Sequence, residues 1–160
     1  METLKYRLEK EIPILADVDL LVVGMGPGGL CAAVTAARQG LTVAAAEHYG
    51  SPGGMANVGE ISPFMPNHCG SEPLDRPLYI EWVNRMRNYL ASPPPPTAVK
   101  RGDDRSIPRY YAMLATEDML LEAGVKLFYH HTFFDVVKEG KRISAVIFTG
   151  KSGLSAIRAK

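Results

Sequence analysis

The sequence predicts an α/β fold in which a parallel sheet is followed by an antiparallel β-meander. Three observations support this prediction. An apolar run at 20–23 leads directly into a glycine-rich turn and then into an alanine-rich segment. A further helix-to-strand step, with a helix pattern at 109–123 and a strand pattern at 125–129, repeats that order of elements. Short strand patterns separated by glycine turns then fill residues 132–160.

The glycine-rich turn after the first strand has the spacing GxGxxG. Gly24 permits a tight turn, Gly26 allows backbone to approach a pyrophosphate, and Gly29 lets the helix lie close to the strand. Pro27 suits the first helical position, where its missing N–H costs nothing, and Gly28 follows it. The start of this helix would present unsatisfied N–H groups to phosphate. No Lys or Arg lies in the loop, which favours recognition of the phosphate by backbone N–H groups over recognition by charged side chains.

An acidic residue completes the first unit. The helix is expected to end at Gly40, and a second strand at 41–46 then leads to Glu47. A carboxylate in that position can accept hydrogen bonds from the ribose hydroxyls of an adenosine. Residues 18–47 therefore predict a Rossmann-like βαβ unit that binds a dinucleotide. The alternative is a glycine turn that serves helix packing alone.

A long irregular segment, residues 48–77, follows this unit. It is rich in glycine and proline and shows no regular period, yet its apolar residues argue against disorder. We expect it to cover a ligand. The pair Gly53-Gly54 offers exposed N–H groups and room for close approach, although by itself it would indicate a simple turn. His68 is a catalytic candidate, because histidine exchanges protons near neutral pH; a polar contact within the loop is the alternative.

The rest of the chain is predicted as an ordered series of elements within a single domain, 1–160. Residues 1–17 are interpreted as a leader into the first strand, and 91–108 as an exposed excursion rich in proline and polar residues. Residues 109–160 contain a helix, a strand that extends the same doubly wound sheet, and the meander. The helix before the excursion is expected at 77–90, and the three meander strands at 132–138, 142–149 and 154–160.

Composition excludes several classes of function. The net charge of +1 gives no strong electrostatic attraction to nucleic acid or anionic lipid. No apolar run is long enough to span a bilayer. The two cysteines, Cys31 and Cys69, form no CxxC pair, which favours a cytoplasmic protein. No set of cysteines and histidines has zinc-binding spacing, so we expect no metal. The oligomeric state is left open.

Several blocks of sequence resemble one known family. They are similar to the N-terminal part of bacterial FAD-dependent oxidoreductases of the glutathione-reductase-like superfamily, a group distantly related to fumarate reductase flavoproteins. The blocks are Val22 to Gly29, Glu47-His48-Tyr49-Gly50, Gly53-Gly54-Met55-Ala56 and Pro63-Phe64-Met65. The resemblance covers nearly the whole chain. The Gly53-Gly54-Met55 block is the part that most narrows the choice of family. It implies a module that transfers electrons between FAD and an unidentified small molecule.

The resemblance also assigns roles to individual residues. It implies that Gly24, Gly26, Gly28 and Gly29 contact the pyrophosphate of FAD, next to Pro27, and that Glu47 holds the adenosine ribose. It places Gly53, Gly54 and Met55 along the pyrophosphate and ribityl chain, near the flavin. His48 stands where relatives often have Arg or Lys beside the adenosine, so contacts on the adenine side are expected to be weaker.

Relatives in this family continue past the region of resemblance, through a further strand into a substrate domain. The sequence is therefore expected to be an incomplete, N-terminal domain of such a protein. Two other interpretations stay open. One is a non-catalytic remnant that keeps only dinucleotide affinity, and the other is an NAD-binding protein similar to thiazole synthases.

Overall fold

The structure, a computed structural model, describes residues 1–5, 9–61, 68–69, 72–73, 77–90 and 108–160. Three α-helices and nine strands lie in the described ranges, besides one short 3-10 helix at Gly54–Ala56. In chain order they are β1 (Ile14–Val18), β2 (Leu20–Val23), α1 (Pro27–Arg38), β3 (Val43–Ala46), β4 (His68–Cys69), β5 (Glu72–Pro73), α2 (Leu78–Asn88), α3 (Arg109–Glu122), β6 (Lys126–Phe128), β7 (Thr132–Glu139), β8 (Arg142–Gly150) and β9 (Gly153–Ala159).

A parallel sheet of three strands, in the order β2-β3-β6, carries the predicted βαβ unit. Leu20 pairs with Val43 and Val23 with Ala46, so the two strands end level with each other. β6 pairs with the other side of β3. The chain leaves every one of these strands at the same edge, and the glycine loop, Glu47 and the turn after β6 all lie there.

A second sheet, in the order β1-β9-β8-β7, contains the meander. β7, β8 and β9 are antiparallel neighbours, as the short glycine turns predict. β1 pairs in parallel with β9, for example Asp17 with Arg158. The interpretation of residues 1–17 as a leader is therefore wrong for its last part, because residues 14–17 form most of a strand of this sheet. That pairing joins segments about 140 residues apart, which no local pattern reveals.

The central strand of the parallel sheet, β3, is buried on both faces, but by different partners. Val43 and Ala45 face a core shared with all three helices. Ala44 and Ala46 face the second sheet and pack with Phe148 and other residues of β1, β8 and β9. The prediction of a doubly wound sheet is thus wrong in one respect, since the second face is covered by the meander sheet. The α/β class, with a parallel sheet plus a meander, is confirmed.

Asp19 fixes the sharp turn at which the chain passes from one sheet to the other. Its backbone N–H donates to the carbonyl oxygen of Thr42 at 2.9 Å, and its carboxylate accepts from the N–H of Thr42 at 2.8 Å. Lys160 donates to the other carboxylate oxygen at 2.7 Å. This hydrogen bond, more than those from Thr42, holds the pKa of Asp19 well below its usual range.

Charged side chains join the three helices on their outer side. Arg38 of α1 makes two hydrogen bonds of 2.8 Å to Glu81 of α2. Arg85 lies between Glu81 and Glu122 of α3, at 3.1 Å and 2.6 Å. The hydrogen bond from Arg38 lowers the pKa of Glu81, so this carboxylate is charged at neutral pH.

No helix in the described ranges is long and apolar enough to span a membrane.

Other parts of the sequence prediction match the described residues closely. α2 lies within the predicted helix at 77–90, α3 begins at Arg109 as expected, and β6 lies within the predicted strand at 125–129. The excursion predicted at 91–108 falls outside the described residues, apart from its last position. Most of the second half of the predicted loop at 48–77 also lies outside them.

We predict that Gly29→Ala destabilises the fold, whereas Gly28→Ala does not. A Cβ atom on Gly29 would lie 1.9 Å from the carbonyl oxygen of Gly24, so α1 would have to move away from β2. Such overpacking costs about 1–3 kcal/mol. A Cβ on Gly28 meets nothing within 4 Å, which makes this substitution the matched control. Urea unfolding measures both changes; equal stability of the two variants would contradict the close helix–strand contact.

Candidate functional site

The glycine loop is held in place by the two strands that flank it. Gly24 has a φ of +100°, a left-handed conformation that favours glycine, and its N–H donates to the carbonyl oxygen of Ala46 at 2.7 Å. Met25, the next residue, is fully buried in the helical core. The loop therefore turns at Gly24 and is anchored at Met25, which leaves its remaining residues at the sheet edge.

The N-terminus of α1 is open. Gly26 is the N-cap and has no side chain to accept from the first turn, which contains no acidic residue. Pro27 and Gly28 are exposed. The N–H groups of Gly28 and Gly29 precede the first helical hydrogen bond, which Leu30 donates to Gly26. Uncapped N–H groups and the positive end of a helix dipole together favour the binding of an anion such as phosphate.

Glu47 lies beside this loop and is only 6% exposed. One oxygen of its carboxylate accepts from the N–H of Met25 at 2.7 Å, and the other accepts from the N–H of Tyr49 at 3.0 Å. Its own backbone is fixed by hydrogen bonds with Phe128 and His131, both 2.8 Å long. An ionised carboxylate has about four lone-pair sites, so two hydrogen bonds leave acceptor capacity for sugar hydroxyls.

The double-glycine turn packs directly on the first glycine motif. The N–H of Gly53 donates to the carbonyl oxygen of Met25 at 2.8 Å. A Cβ on Gly54 would lie 2.8 Å from the Cα of Gly26, so these two backbones approach as closely as only glycine permits. The first half of the predicted loop at 48–77 is thus folded against the site and forms one of its walls.

Asn57, which the sequence analysis did not single out, holds this turn in shape. It is buried, and its side-chain amide donates to the hydroxyl of Ser51 at 2.9 Å and to the carbonyl oxygen of Pro52 at 2.8 Å. An Asn a few residues after a glycine pair is a sequence signal for such a contact, because Asn side chains commonly bond nearby backbone in turns. Met55, within the turn, is 62% exposed.

His48 lies on the outer side of the site. It is exposed, shares a hydrogen bond of 2.6 Å between its Nδ1 and the Oγ1 of Thr132, and contacts the ring of Tyr49 edge to face at 4.6 Å. The structure therefore brings His48, Glu47 and the glycine loop to one edge of the parallel sheet.

The structure describes only the backbone of His68, which pairs with Pro73. The catalytic role of His68 therefore stays a prediction. Within the described residues no cluster of side chains could hold a metal ion.

A helix N-terminus without a capping side chain, with a buried carboxylate beside it, is the arrangement expected of a dinucleotide-binding protein. A family model described as FAD dependent oxidoreductase matches residues 19–160. The chain belongs to the FAD-dependent oxidoreductase family, as its sequence indicated, and FAD is the cofactor of that family. The open helix N-terminus and the free lone pairs of Glu47 fit the diphosphate and ribose of such a cofactor.

Solved structures support the fold. THI4 from Thermovibrio ammonificans is 21% identical, with a TM-score of 0.62, and the match covers 90% of this chain and 55% of that one. A flavocytochrome c3 fumarate reductase in its open conformation is 15% identical, with a TM-score of 0.62 and coverage of 92% and 33%. The 3-ketosteroid-Δ4-(5α)-dehydrogenase of Rhodococcus jostii RHA1 is 16% identical, with a TM-score of 0.58 and coverage of 91% and 44%.

These matches define the architecture and not a substrate, because identities below 25% show the fold alone. The chain spans between a third and just over half the length of these three proteins. No curated protein matches the chain by sequence.

We predict that Gly54→Ala weakens FAD binding and that Gly40→Ala does not. Both glycines have positive φ, +52° and +90°, so both variants suffer backbone strain. A Cβ on Gly54 would also push the turn away from Gly26, whereas one on Gly40 meets nothing within 4 Å. Unfolding free energies and FAD dissociation constants are measured for both variants. Equal FAD affinity of the two would show that the contact between the two glycine turns does not shape the site.

Proposed function

We propose that this chain is the part of a flavin-dependent oxidoreductase that binds FAD for electron transfer to or from a small molecule. The observation that carries the proposal is the meeting of three features at one sheet edge. They are the uncapped N-terminus of α1, the buried carboxylate of Glu47 and the double-glycine turn at Gly53-Gly54. Family membership supplies the identity of the cofactor.

In this proposal the diphosphate of FAD lies at the start of α1. The N–H groups of Gly28 and Gly29 donate to its oxygens, and the helix dipole stabilises their charge. Gly26 contributes by being small. Among the described residues, a Cβ atom built on Gly26 would have one near neighbour, the Cα of Gly54 at 3.7 Å. No cationic side chain is required, and none lies in the loop.

Glu47 holds the adenosine ribose in the same proposal. Its carboxylate is already oriented by Met25 and Tyr49, so the side chain of Glu47 loses little further freedom when the sugar hydroxyls donate to its remaining lone pairs. His48 and Tyr49 then lie on the adenosine side, and Gly53, Gly54 and Met55 follow the pyrophosphate toward the flavin.

The flavin, when bound, supplies the redox chemistry, and the protein supplies position and electrostatics. The tight packing of Gly53-Gly54 on Gly26 gives the cofactor a rigid backbone wall, which suits a site that must hold a reactive ring in one place. His68 is the one proton-exchanging residue that we propose near the flavin, on the grounds of its place in the loop alone.

The first test is direct titration with FAD. We expect the protein to take up FAD with saturable quenching of flavin fluorescence, and to prefer FAD to NAD in a thermal-shift comparison, because a ligand that binds the folded state raises the melting temperature. Reduction of the bound flavin by an added electron donor separates an active module from a non-catalytic remnant. A protein that binds neither dinucleotide would overturn the proposal, and selective stabilisation by NAD would favour the alternative similar to thiazole synthases.

We predict that Glu47→Ala weakens FAD binding by about 1–3 kcal/mol, the usual contribution of hydrogen bonds to a charged group. Glu139→Ala is the control, because Glu139 is an exposed carboxylate at the end of β7, away from the glycine loop. Fluorescence titration gives both affinities, and circular dichroism confirms that both variants are folded. Unchanged affinity in Glu47→Ala would remove Glu47 from the site.

A further inference from the structure

Two segments of the chain meet beside Glu47. One is the stretch that follows this residue, and the other is the turn between β6 and β7. The N–H of His131 donates to the carbonyl oxygen of Glu47 at 2.8 Å, and the N–H of His130 donates to that of Tyr49 at 3.1 Å. These bonds continue the pairing of β3 with β6 beyond the last paired residues of the sheet. The turn after β6 therefore helps to hold the residues that follow Glu47.

His130, in this turn, has a left-handed backbone. Its φ is +57°, and Glu60 is the other described residue besides glycine with a positive φ. Glycine adopts this conformation without a steric penalty, whereas a residue with a Cβ atom adopts it at a cost in free energy. Such residues persist where the surrounding structure fixes them, and they cluster at binding sites. A histidine at a position that suits glycine points to a use for its side chain.

The ring of His130 lies against Gly50. A Cβ atom built on Gly50 would lie 2.8 Å from both Cε1 and Nε2 of this ring, which is closer than a side-chain carbon can approach. Gly50 is not among the glycines with positive φ, so its own backbone conformation does not require glycine. Among the described contacts, the space that the ring takes is the reason for glycine at this position.

The contact between His130 and Gly50 bears on Glu47 through Tyr49. The N–H of Tyr49 donates to the carboxylate of Glu47 at 3.0 Å, and its carbonyl oxygen accepts from His130. Residues 48–50 are all exposed, so burial in the core does not hold them. The contacts with the turn after β6 therefore fix the peptide groups on both sides of Tyr49, one of which orients the carboxylate.

We propose that His130 is a positioning residue for the adenosine half of FAD. Its ring holds Gly50 in place, and through Tyr49 this contact keeps the carboxylate of Glu47 aimed at the ribose. The inference rests on the proposed function, because Glu47 is the residue that we propose for the ribose. His130 acts through Tyr49 and Glu47 and needs no contact of its own with the cofactor.

Two variants remove the contact in different ways. His130→Gly deletes the ring, and Gly50→Ala keeps the ring but displaces it. Each should weaken FAD binding roughly three- to tenfold, and the double variant should bind no more weakly than either single one, because both changes remove the same contact. Lys141→Gly is the control for added backbone freedom, since Lys141 is exposed in the turn between β7 and β8. It should leave the affinity unchanged.

Three further measurements separate positioning from a general loss of stability. The urea midpoint of His130→Gly should stay close to that of the parent chain, because relief of the left-handed strain offsets the greater freedom of glycine in the unfolded chain. Affinity for ADP, which carries the adenosine half of FAD, should fall by the same factor as affinity for FAD, and affinity for FMN should not change. Without any cofactor, the N–H of Tyr49 should exchange with solvent faster in both variants.

The possible outcomes distinguish this inference from the proposed function. If the parent chain binds FAD and both variants bind it equally well, the inference is wrong and the proposed function stands. Losses that add in the double variant, equal losses for ADP and FMN, or a midpoint that falls together with the affinity would also overturn it. A parent chain that binds no FAD would overturn the proposed function. The exchange of the Tyr49 N–H then decides the role of the contact, and unchanged exchange in the variants would overturn it.

Discussion

The hydrogen bond from the N–H of Met25 to the carboxylate of Glu47 is the contact on which the site depends. It joins the loop after β2 to the residue after β3, at the edge where both strands end. Burial of a carboxylate costs free energy unless the group is hydrogen-bonded, and here the backbone N–H groups of Met25 and Tyr49 donate to it. The same residue bonds through its backbone to the turn after β6, so one glutamate ties three segments of that edge together.

The different partners on the two faces of the parallel sheet explain how its central strand, β3, stays buried. Small alanines in β3 allow a second sheet to lie close on one side, while the other side packs on three helices. Parallel sheets need cover on both faces, and here the meander provides what a second layer of helices provides in doubly wound folds. The chain crosses between the two sheets at Asp19, where paired hydrogen bonds to Thr42 fix the turn.

In the proposed site, recognition of the cofactor relies on backbone N–H groups more than on charged side chains. The glycine loop contains no cation, and the close approach of Gly54 to Gly26 depends on the absence of side chains at both positions. A site of this kind would select its ligand by shape, since its N–H groups are held in place by the helix and the strands. Membership of the FAD-dependent oxidoreductase family agrees with this mode of recognition.

The sequence by itself determined the βαβ unit, the glycine loop, Glu47, both later helices and the meander, because each depends on local spacing and periodicity. Tertiary structure decided what local patterns do not encode. β1 is a strand because it pairs with β9, which lies far along the chain. The second face of the parallel sheet is covered by the meander. The packing of Gly54 on Gly26, the buried amide of Asn57 and the buried hydroxyl of Ser155 likewise arise from contacts between segments, which form only when the chain has folded.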